Sequence, residues 1–93
     1  MKLFWTRQAR LDRRAIFDYI RRENPIAAVA MDHQFTKAAA QLARHPLSGR
    51  AGRVTDTREL PAHPSYLLIY DVKEDAVRIL NVIHTARQWP PSD

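Results

Sequence analysis

The 93-residue sequence contains no cysteine, only two glycines and three lysines, and no long apolar run. The absence of cysteine excludes a disulfide scaffold, a thiolate metal site and a cysteine nucleophile. No segment approaches the roughly 20 consecutive apolar residues of a membrane span, and the N-terminus lacks the apolar core of a signal peptide. We therefore expect a cytoplasmic protein that neither enters a membrane nor is exported.

Length and composition predict a single domain over residues 1–93. Apolar residues make up 45% of the chain, which is ordinary for a globular protein, and a chain this short holds one core. No internal repeat interrupts it. The C-terminal segment from about residue 87 is rich in proline and is expected to be irregular.

The charge is unbalanced in sign and in residue type. Fifteen Lys and Arg residues face ten Asp and Glu, giving +5, and twelve of the cations are Arg. A guanidinium pairs bidentately with carboxylate or phosphate, so this bias fits an acidic partner: RNA, DNA or an acidic protein. An Arg-rich, GC-biased genome would produce the same excess without any partner.

The N-terminal half predicts a short strand followed by two helices. Leu3–Trp5 has strand-like residues, and Thr6 is placed to cap a helix over Arg7–Arg22. Asn24 and Pro25 then end this helix and begin a second one over Pro25–Arg44. Each helix carries an apolar face at helical spacing, formed by Ala9, Ile16, Phe17, Tyr19 and Ile20 in the first and by Ala28, Met31, Phe35, Ala38 and Leu42 in the second.

The C-terminal half predicts three strands after a glycine-containing connection, His45–Arg53. The strands are expected at Val54–Leu60, Tyr66–Val72 and Ala76–His84, with Pro61 and Pro64 in the first turn. The middle strand is apolar on both faces and should lie inside the sheet. The predicted fold class is α+β, an antiparallel sheet with a helical hairpin on one face.

Several kinds of active site are excluded by spacing. The segment around Gly49 and Gly52 lacks the Lys-Ser/Thr ending of a phosphate-binding loop, and no serine lies in a nucleophile elbow. The histidines are scattered at His33, His45, His63 and His84, without metal-ligand spacing. We expect no metal and no cofactor.

A basic and aromatic cluster remains around the predicted sheet. Metal-free RNA cleavage needs a base, an acid and cations for the phosphate, roles that Arg58, Glu59, His84 and Arg87 could supply if their strands are adjacent. The alternative is structural: Arg58 and Glu59 form an exposed ion pair, and His84 simply ends a strand.

The chain resembles the RelE/ParE superfamily of type II toxin-antitoxin toxins. The matching pieces follow the family order and span nearly the full length: Trp5-Thr6, Ala9 with Asp12, Ile16 with Tyr19-Ile20, Asn24-Pro25 with Ala28, Leu42, Pro46, Gly49-Arg50, Thr57-Arg58-Glu59-Leu60, Tyr70, Ile79 to His84, and Arg87-Gln88-Trp89-Pro90. One departure is Arg13, where the family pattern often has an apolar residue.

The resemblance is closer to the ParE branch. The segment from Arg53 to Leu60 has no lysine, and the tail has Arg-Gln-Trp-Pro where many RNA-cleaving relatives place a tyrosine. The resemblance implies a non-catalytic toxin that inhibits DNA gyrase by binding it. The alternatives are a RelE-like ribosome-dependent mRNA endonuclease, using Arg58, Glu59, His84 and Arg87, and a basic binding module or a degenerate toxin without activity.

The resemblance also implies partners and contact residues. A cognate, ParD-like antitoxin is expected to fold on the toxin, and a toxin dimer or a heterotetramer with antitoxin is a further expectation. Antitoxin contacts are expected at Ile16, Tyr19, Ile20, Met31, Phe35 and Arg58, and target contacts at Arg53, Arg58, Tyr70, His84, Arg87 and Trp89.

Overall fold

The computed structural model describes residues 1–87 and 89–90, which form two helices packed on one face of a five-stranded sheet. The elements are β1 (Lys2–Trp5), α1 (Arg7–Arg21), α2 (Pro25–Arg44), β2 (Arg50–Ala51), β3 (Arg58–His63), β4 (Tyr66–Lys73) and β5 (Ala76–His84). The strand order is β1-β5-β4-β3-β2. The predicted α+β class is confirmed. Within the described residues, neither helix is long and apolar enough to cross a membrane.

The two helices begin at the predicted capping residues. The Thr6 side chain accepts a hydrogen bond from the Ala9 amide at 3.2 Å, and the Asn24 side chain accepts one from the Ala27 amide at 3.0 Å. Pro25 occupies the first turn of α2, where its missing N–H has no intrahelical partner to lose. The predicted bounds of α2 are confirmed, and α1 ends one residue earlier than predicted.

The apolar face predicted for α1 is partly wrong. Ala9 is fully buried and Ile16 packs against the core, but the Tyr19 side chain is 69% exposed. Tyr19 lies on the flank of α1 that is turned toward the end of β5, where it lines an open cavity with His84. The seam predicted for α2 is confirmed by the burial of Ala28, Phe35, Ala38 and Leu42.

The sheet is mixed rather than wholly antiparallel, because β1 pairs parallel to β5. The prediction that the first later strand spans Val54–Leu60 is also wrong: β3 begins at Arg58 and continues through Pro61. Residues 54–57 instead form a turn in which the Thr57 amide donates to the Val54 carbonyl. Pro61 is tolerated because β2 covers β3 only at Arg58 and Glu59, so the missing amide faces an open edge.

The central strand β4 lies inside the sheet and contributes core residues to both of its faces, as predicted. Residues 66–70 are all buried. Tyr66, Leu68 and Tyr70 point toward the helices, whereas Leu67 and Ile69 pack with Ile83 and Trp89 on the opposite face. Of the predicted irregular tail, Gln88 and residues 91–93 lie outside the described residues; Arg87, Trp89 and Pro90 belong to no helix or strand.

Candidate functional site

A cavity of about 410 Å³ opens between α1 and the C-terminal end of β5. Its apolar wall includes Ile16 and Val82, and its polar groups are Asp12, Tyr19, Tyr66, His84 and Arg87. The cavity forms here because β1 ends at Trp5, opposite Ile79, so the rest of β5 has no strand on its outer side. It therefore combines apolar surface with several groups that can hydrogen-bond to a partner.

Asp12 holds α1 against the outer edge of β5. One carboxylate oxygen accepts hydrogen bonds from the Val82 amide at 2.9 Å and from Asn81 Nδ2 at 3.2 Å. The other oxygen accepts one from Gln8 Nε2 at 2.8 Å. Both oxygens of Asp12 are thus engaged within the protein, so this carboxylate serves as a structural anchor of the cavity.

The other polar groups of the cavity can donate hydrogen bonds. His84 Nδ1 accepts from the Ala86 amide at 3.0 Å, which leaves Nε2 as the protonated nitrogen of the neutral ring. The Tyr66 ring packs edge-on against His84, with centroids 5.2 Å apart. Burial, followed by the neighbouring Tyr19, raises the pKa of Tyr66, so its hydroxyl keeps its proton. Together with the Arg87 guanidinium, these groups favour an anionic or acceptor-rich ligand.

Tyr70, predicted to contact a target, is fully buried. Its hydroxyl accepts a hydrogen bond from the Gly49 amide at 2.9 Å and donates one to the Pro46 carbonyl at 2.8 Å. Burial is the main reason that its pKa is raised. Arg58 Nη1 donates to the Gly49 carbonyl at 2.8 Å, so Tyr70 and Arg58 both fasten the connection between α2 and β2. This placement leaves Tyr70 no surface for a partner.

Glu59 is also buried, on the face of the sheet away from the helices, where it pairs with Ile69 across the strands. Its carboxylate accepts hydrogen bonds from Arg50 Nη2 at 3.2 Å and from the Arg53 amide at 3.1 Å, and Arg53 Nε lies 3.4 Å away. Glu59 therefore compensates two arginines, one in β2 and one in the loop between β2 and β3. A substrate cannot reach it for proton transfer without opening that loop.

The four residues predicted for RNA cleavage are not brought together. Arg58 pairs with Tyr70 and His84 pairs with Tyr66, which places them on opposite sides of β4 and about 13 Å apart in the strand direction. Glu59 points to the opposite face. Only His84 and Arg87 share the cavity. The structural alternative, an ion pair involving Glu59, is met by Arg50 and Arg53 rather than by Arg58.

The residues predicted for antitoxin contact are divided between core and surface. Phe35 is 1% exposed, and its ring packs edge-on against Tyr66, so the fold gives it no role in direct contact. Ile16, Ile20 and Met31 are half-buried, and Tyr19 is exposed.

Sequence reasoning assigned no site or contact role to several residues that the structure makes prominent. Asp12 and Tyr66 complete the cavity, and the signal available was an acidic residue on the inner side of an amphipathic helix. Ile26 and Val29, on the outer side of α2, are 84% and 61% exposed. Arg13, the one departure from the family pattern, lies 4.4 Å above the Trp5 ring and donates to Asp32 and Thr36.

The described residues contain no group of three or more His, Cys, Asp or Glu side chains that could hold a metal ion. The polar residues of the cavity are mostly donors, which suits anions rather than cations. The arrangement therefore points to recognition of a partner.

Comparisons with known proteins match this fold over nearly the whole chain. A family model described as the ParE toxin of type II toxin-antitoxin system, parDE, matches residues 3–89. The chain is 40% identical to the Y4kP protein of Sinorhizobium fredii over 92 residues, covering 96% of this chain and 93% of that protein. It is 38% identical to Toxin RelE2 of Caulobacter vibrioides over 86 residues, covering 92% and 97%.

Two solved structures also match the fold over about nine tenths of the chain. A chain of the chromosomal ParDE TA system from P. aeruginosa is 25% identical, with a TM-score of 0.81 and coverage of 90% of this chain and 95% of that one. The YoeB/ParE toxin from Agrobacterium tumefaciens is 15% identical, with a TM-score of 0.64 and coverage of 90% and 98%. The second likeness concerns the fold alone.

Proposed function

Because the chain belongs to the ParE toxin family of type II toxin-antitoxin systems, we propose that it inhibits DNA gyrase by binding the enzyme. A cognate, ParD-like antitoxin neutralises it, and both act in the cytoplasm, where the chromosome is. The protein has no reaction of its own under this proposal.

The observation that carries this choice is the dispersal of the acid-base candidates. Metal-free RNA cleavage needs its base, acid and cations within reach of one phosphate. Here Glu59 is buried against Arg50 and Arg53, and Arg58 lies across β4 from His84, about 13 Å further along the strand direction. The arrangement supports a binding role over a catalytic one.

We place the gyrase contact at the end of the sheet formed by His84, Arg87 and Trp89. His84 and Arg87 are exposed, and Trp89 is half-buried against the helix-free face. Arg53 and Arg58 lie near the opposite edge and would act only if the target spans the sheet. Tyr70 is left out of this proposal because it is fully buried.

The antitoxin is proposed to cover the flank of α1 around Ile16, Tyr19 and Ile20. Tyr19 offers exposed aromatic surface there, and the net charge of +5 favours an acidic partner. A folded antitoxin dimer bridging two toxins would give a heterotetramer, and light scattering of the purified complex measures this stoichiometry.

The decisive experiment is a supercoiling assay with purified gyrase and relaxed plasmid, with and without antitoxin, beside primer extension on translated mRNA. We expect loss of supercoiling or trapped cleaved DNA, with intact mRNA, and relief by the antitoxin. Arg87→Ala should weaken inhibition about tenfold or more, as removal of a contact worth at least 1.4 kcal/mol would. Lys73→Ala, which removes an exposed cation far from the cavity, should leave it unchanged.

The second candidate function is mRNA cleavage, the RelE-like alternative, because one relative of the chain is named Toxin RelE2. Cuts in translated mRNA with unaffected gyrase would establish it and overturn the proposal. In that case His84→Ala should abolish the cuts while leaving antitoxin binding nearly intact.

A further inference from the structure

Four arginines form a row along one flank of α1. Arg7, Arg10, Arg14 and Arg21 follow one another at steps of three, four and seven residues, which places them within about 60° of arc on the helix. All four are exposed. At 1.5 Å per residue the row is about 21 Å long. We propose that this row, called here the arginine flank, is a contact surface for the backbone of duplex DNA.

The charges around the arginine flank leave it positive. Arg13, beneath it, is engaged with Asp32, Thr36 and the Trp5 ring. Two partly exposed acids adjoin the flank: Asp32, which pairs with Arg13, and Asp18, which pairs with Arg14 at 3.2 Å. An exposed i,i+4 ion pair of this kind contributes at most about 0.5 kcal/mol, so a phosphate can replace it.

Most N–H groups of the Arg10 guanidinium are available to a ligand. Its Nη1 donates to the Trp5 carbonyl at 2.7 Å, a bond that holds the side chain against the end of β1. The guanidinium has further N–H groups, and the side chain remains exposed. A cation fixed in this way loses less conformational entropy when it meets a phosphate.

The composition of the arginine flank favours nucleic acid over an acidic protein. Interfaces between proteins have an apolar centre depleted of charge, whereas protein–DNA interfaces are polar and strongly positive. Two apolar residues border the row: Phe17, on the core side, is half-buried, and Leu11, next to Arg7 and Arg14 on the other side, is exposed. Ala15 and Tyr19, both exposed, continue from Leu11 to the cavity that they line, so the larger apolar surface suited to a protein is on that side.

Two further features favour duplex DNA. Proteins that hold single strands stack the bases on exposed aromatic rings, and the flank presents none within the described residues. B-form DNA carries one phosphate per about 1.7 Å of axis, so a duplex segment as long as the row contains about twelve phosphates, of which only those on the near side lie within reach. A straight row of flexible arginines can neutralise several of these without reading the sequence.

This inference goes beyond gyrase inhibition and does not depend on it, because its ligand is DNA alone. Binding to DNA would concentrate the toxin on the substrate of its proposed target. It predicts binding that is independent of sequence and strongly dependent on salt.

The test is fluorescence anisotropy of a labelled duplex of about 24 base pairs, titrated with the full chain between about 50 and 200 mM KCl. Contacts with about four phosphates predict a slope of log Kd against log salt of about 3.6. The variant Arg7→Gln, Arg10→Gln, Arg21→Gln should reduce this slope to about 1 and weaken binding at low salt by about tenfold or more.

The matched control is Lys37→Gln, Arg44→Gln, Lys73→Gln, which removes the same charge from exposed positions off the arginine flank. Circular dichroism and thermal unfolding check that both variants fold. Equal loss of DNA binding in the two variants would show a dependence on net charge alone and overturn the proposal. Poly-glutamate of equal charge is the second probe, and tighter binding to it than to DNA, lost in the flank variant, would assign the surface to an acidic protein instead.

Discussion

Tyr70, Glu59 and Arg13 are polar residues that hold the structure together from inside. Tyr70 joins Gly49 to Pro46, Glu59 joins Arg50 to Arg53, and Arg13 joins α1 to α2 through Asp32. The buried polar atoms of each are hydrogen-bonded within the protein, which is the condition for burying such groups without a large loss of stability. These three side chains therefore stabilise the fold.

The Tyr70 hydroxyl is expected to contribute measurably to stability. Tyr70→Phe leaves the Gly49 amide and the Pro46 carbonyl without their partner, and an unsatisfied buried group destabilises by about 1–3 kcal/mol. Chemical denaturation should show this loss, whereas Tyr19→Phe, at an exposed side chain, should change the free energy of unfolding by about 0.5 kcal/mol or less. Equal stability of the two variants would contradict the account.

The buried tyrosines predict loss of stability in alkali. Burial raises the pKa of Tyr66 and of Tyr70 above the ordinary 10.0, so the folded state disfavours the phenolate. This stabilisation is complete below about pH 10, and it is lost as the pH rises through the raised values, because the unfolded chain releases its protons first. Tyr66→Phe should flatten the fall in unfolding free energy above about pH 10. An unchanged slope would mean that Tyr66 ionises equally in both states.

At the scale of elements, α1 is joined to the sheet where β5 loses its neighbour. The Thr6 amide donates to the Ile79 carbonyl, and the Thr6 hydroxyl donates to the Leu80 carbonyl. Further along α1, the Asp12 carboxylate accepts from the Val82 amide. The register of β4 and β5 shifts between Ile69 and Tyr70, which leaves Leu80 without a direct partner. The N-terminal part of α1 thus satisfies backbone groups that a further strand would otherwise bond.

Removal of Asp12 should loosen this junction. Asp12→Ala leaves the Val82 amide, on the outer edge of β5, without its acceptor. The free energy of unfolding should fall by about 1–3 kcal/mol. Asp18→Ala is the matched control on the same helix, because it breaks an exposed pair with Arg14 worth about 0.3–0.5 kcal/mol. Hydrogen exchange at Val82 should accelerate only in the first variant; acceleration in both would point to general loosening of α1.

At the scale of the whole molecule, the two faces of the sheet are covered very differently. The helices bury one face, with Phe35 and Leu42 at its centre. On the other face, the described residues form a small cluster of Leu67, Ile69 and Ile83 with Trp89 packed against it. Deleting residues 87–93 would therefore uncover apolar surface, and lost toxicity in such a truncation would not distinguish target binding from folding.

Trp89 is expected to stabilise the molecule by covering this second face. Trp89→Ala should lower the free energy of unfolding by about 1–3 kcal/mol, less than the roughly 3–5 kcal/mol of a fully buried aromatic residue, because Trp89 is half-buried. Binding of a dye specific for exposed apolar surface should rise in parallel. A variant as stable as the wild type, with no added dye binding, would show that the cluster needs no cover.

The positions of the elements followed from local signals in the sequence. Thr6, Asn24 and Pro25 fix the helix starts through capping and backbone geometry, and the unbroken apolar run of residues 66–70 fixes the central strand. The ordered motifs also indicated the toxin superfamily, which the family match confirms. These features depend on residues close together in the chain, so the sequence alone determined them.

Tertiary structure decided which polar residues reach a partner. Strand pairing placed Glu59 on the helix-free face of the sheet. It also separated Arg58 from His84, because they pair with residues of β4 that lie four positions apart. Neither fact can be read from the order of residues in the sequence. The parallel pairing of β1 with β5 ended at Trp5 and so opened the cavity beside Asp12 and Tyr66. Burial and register are set by contacts between residues far apart in the chain, and a one-residue change of register moves a side chain to the other face.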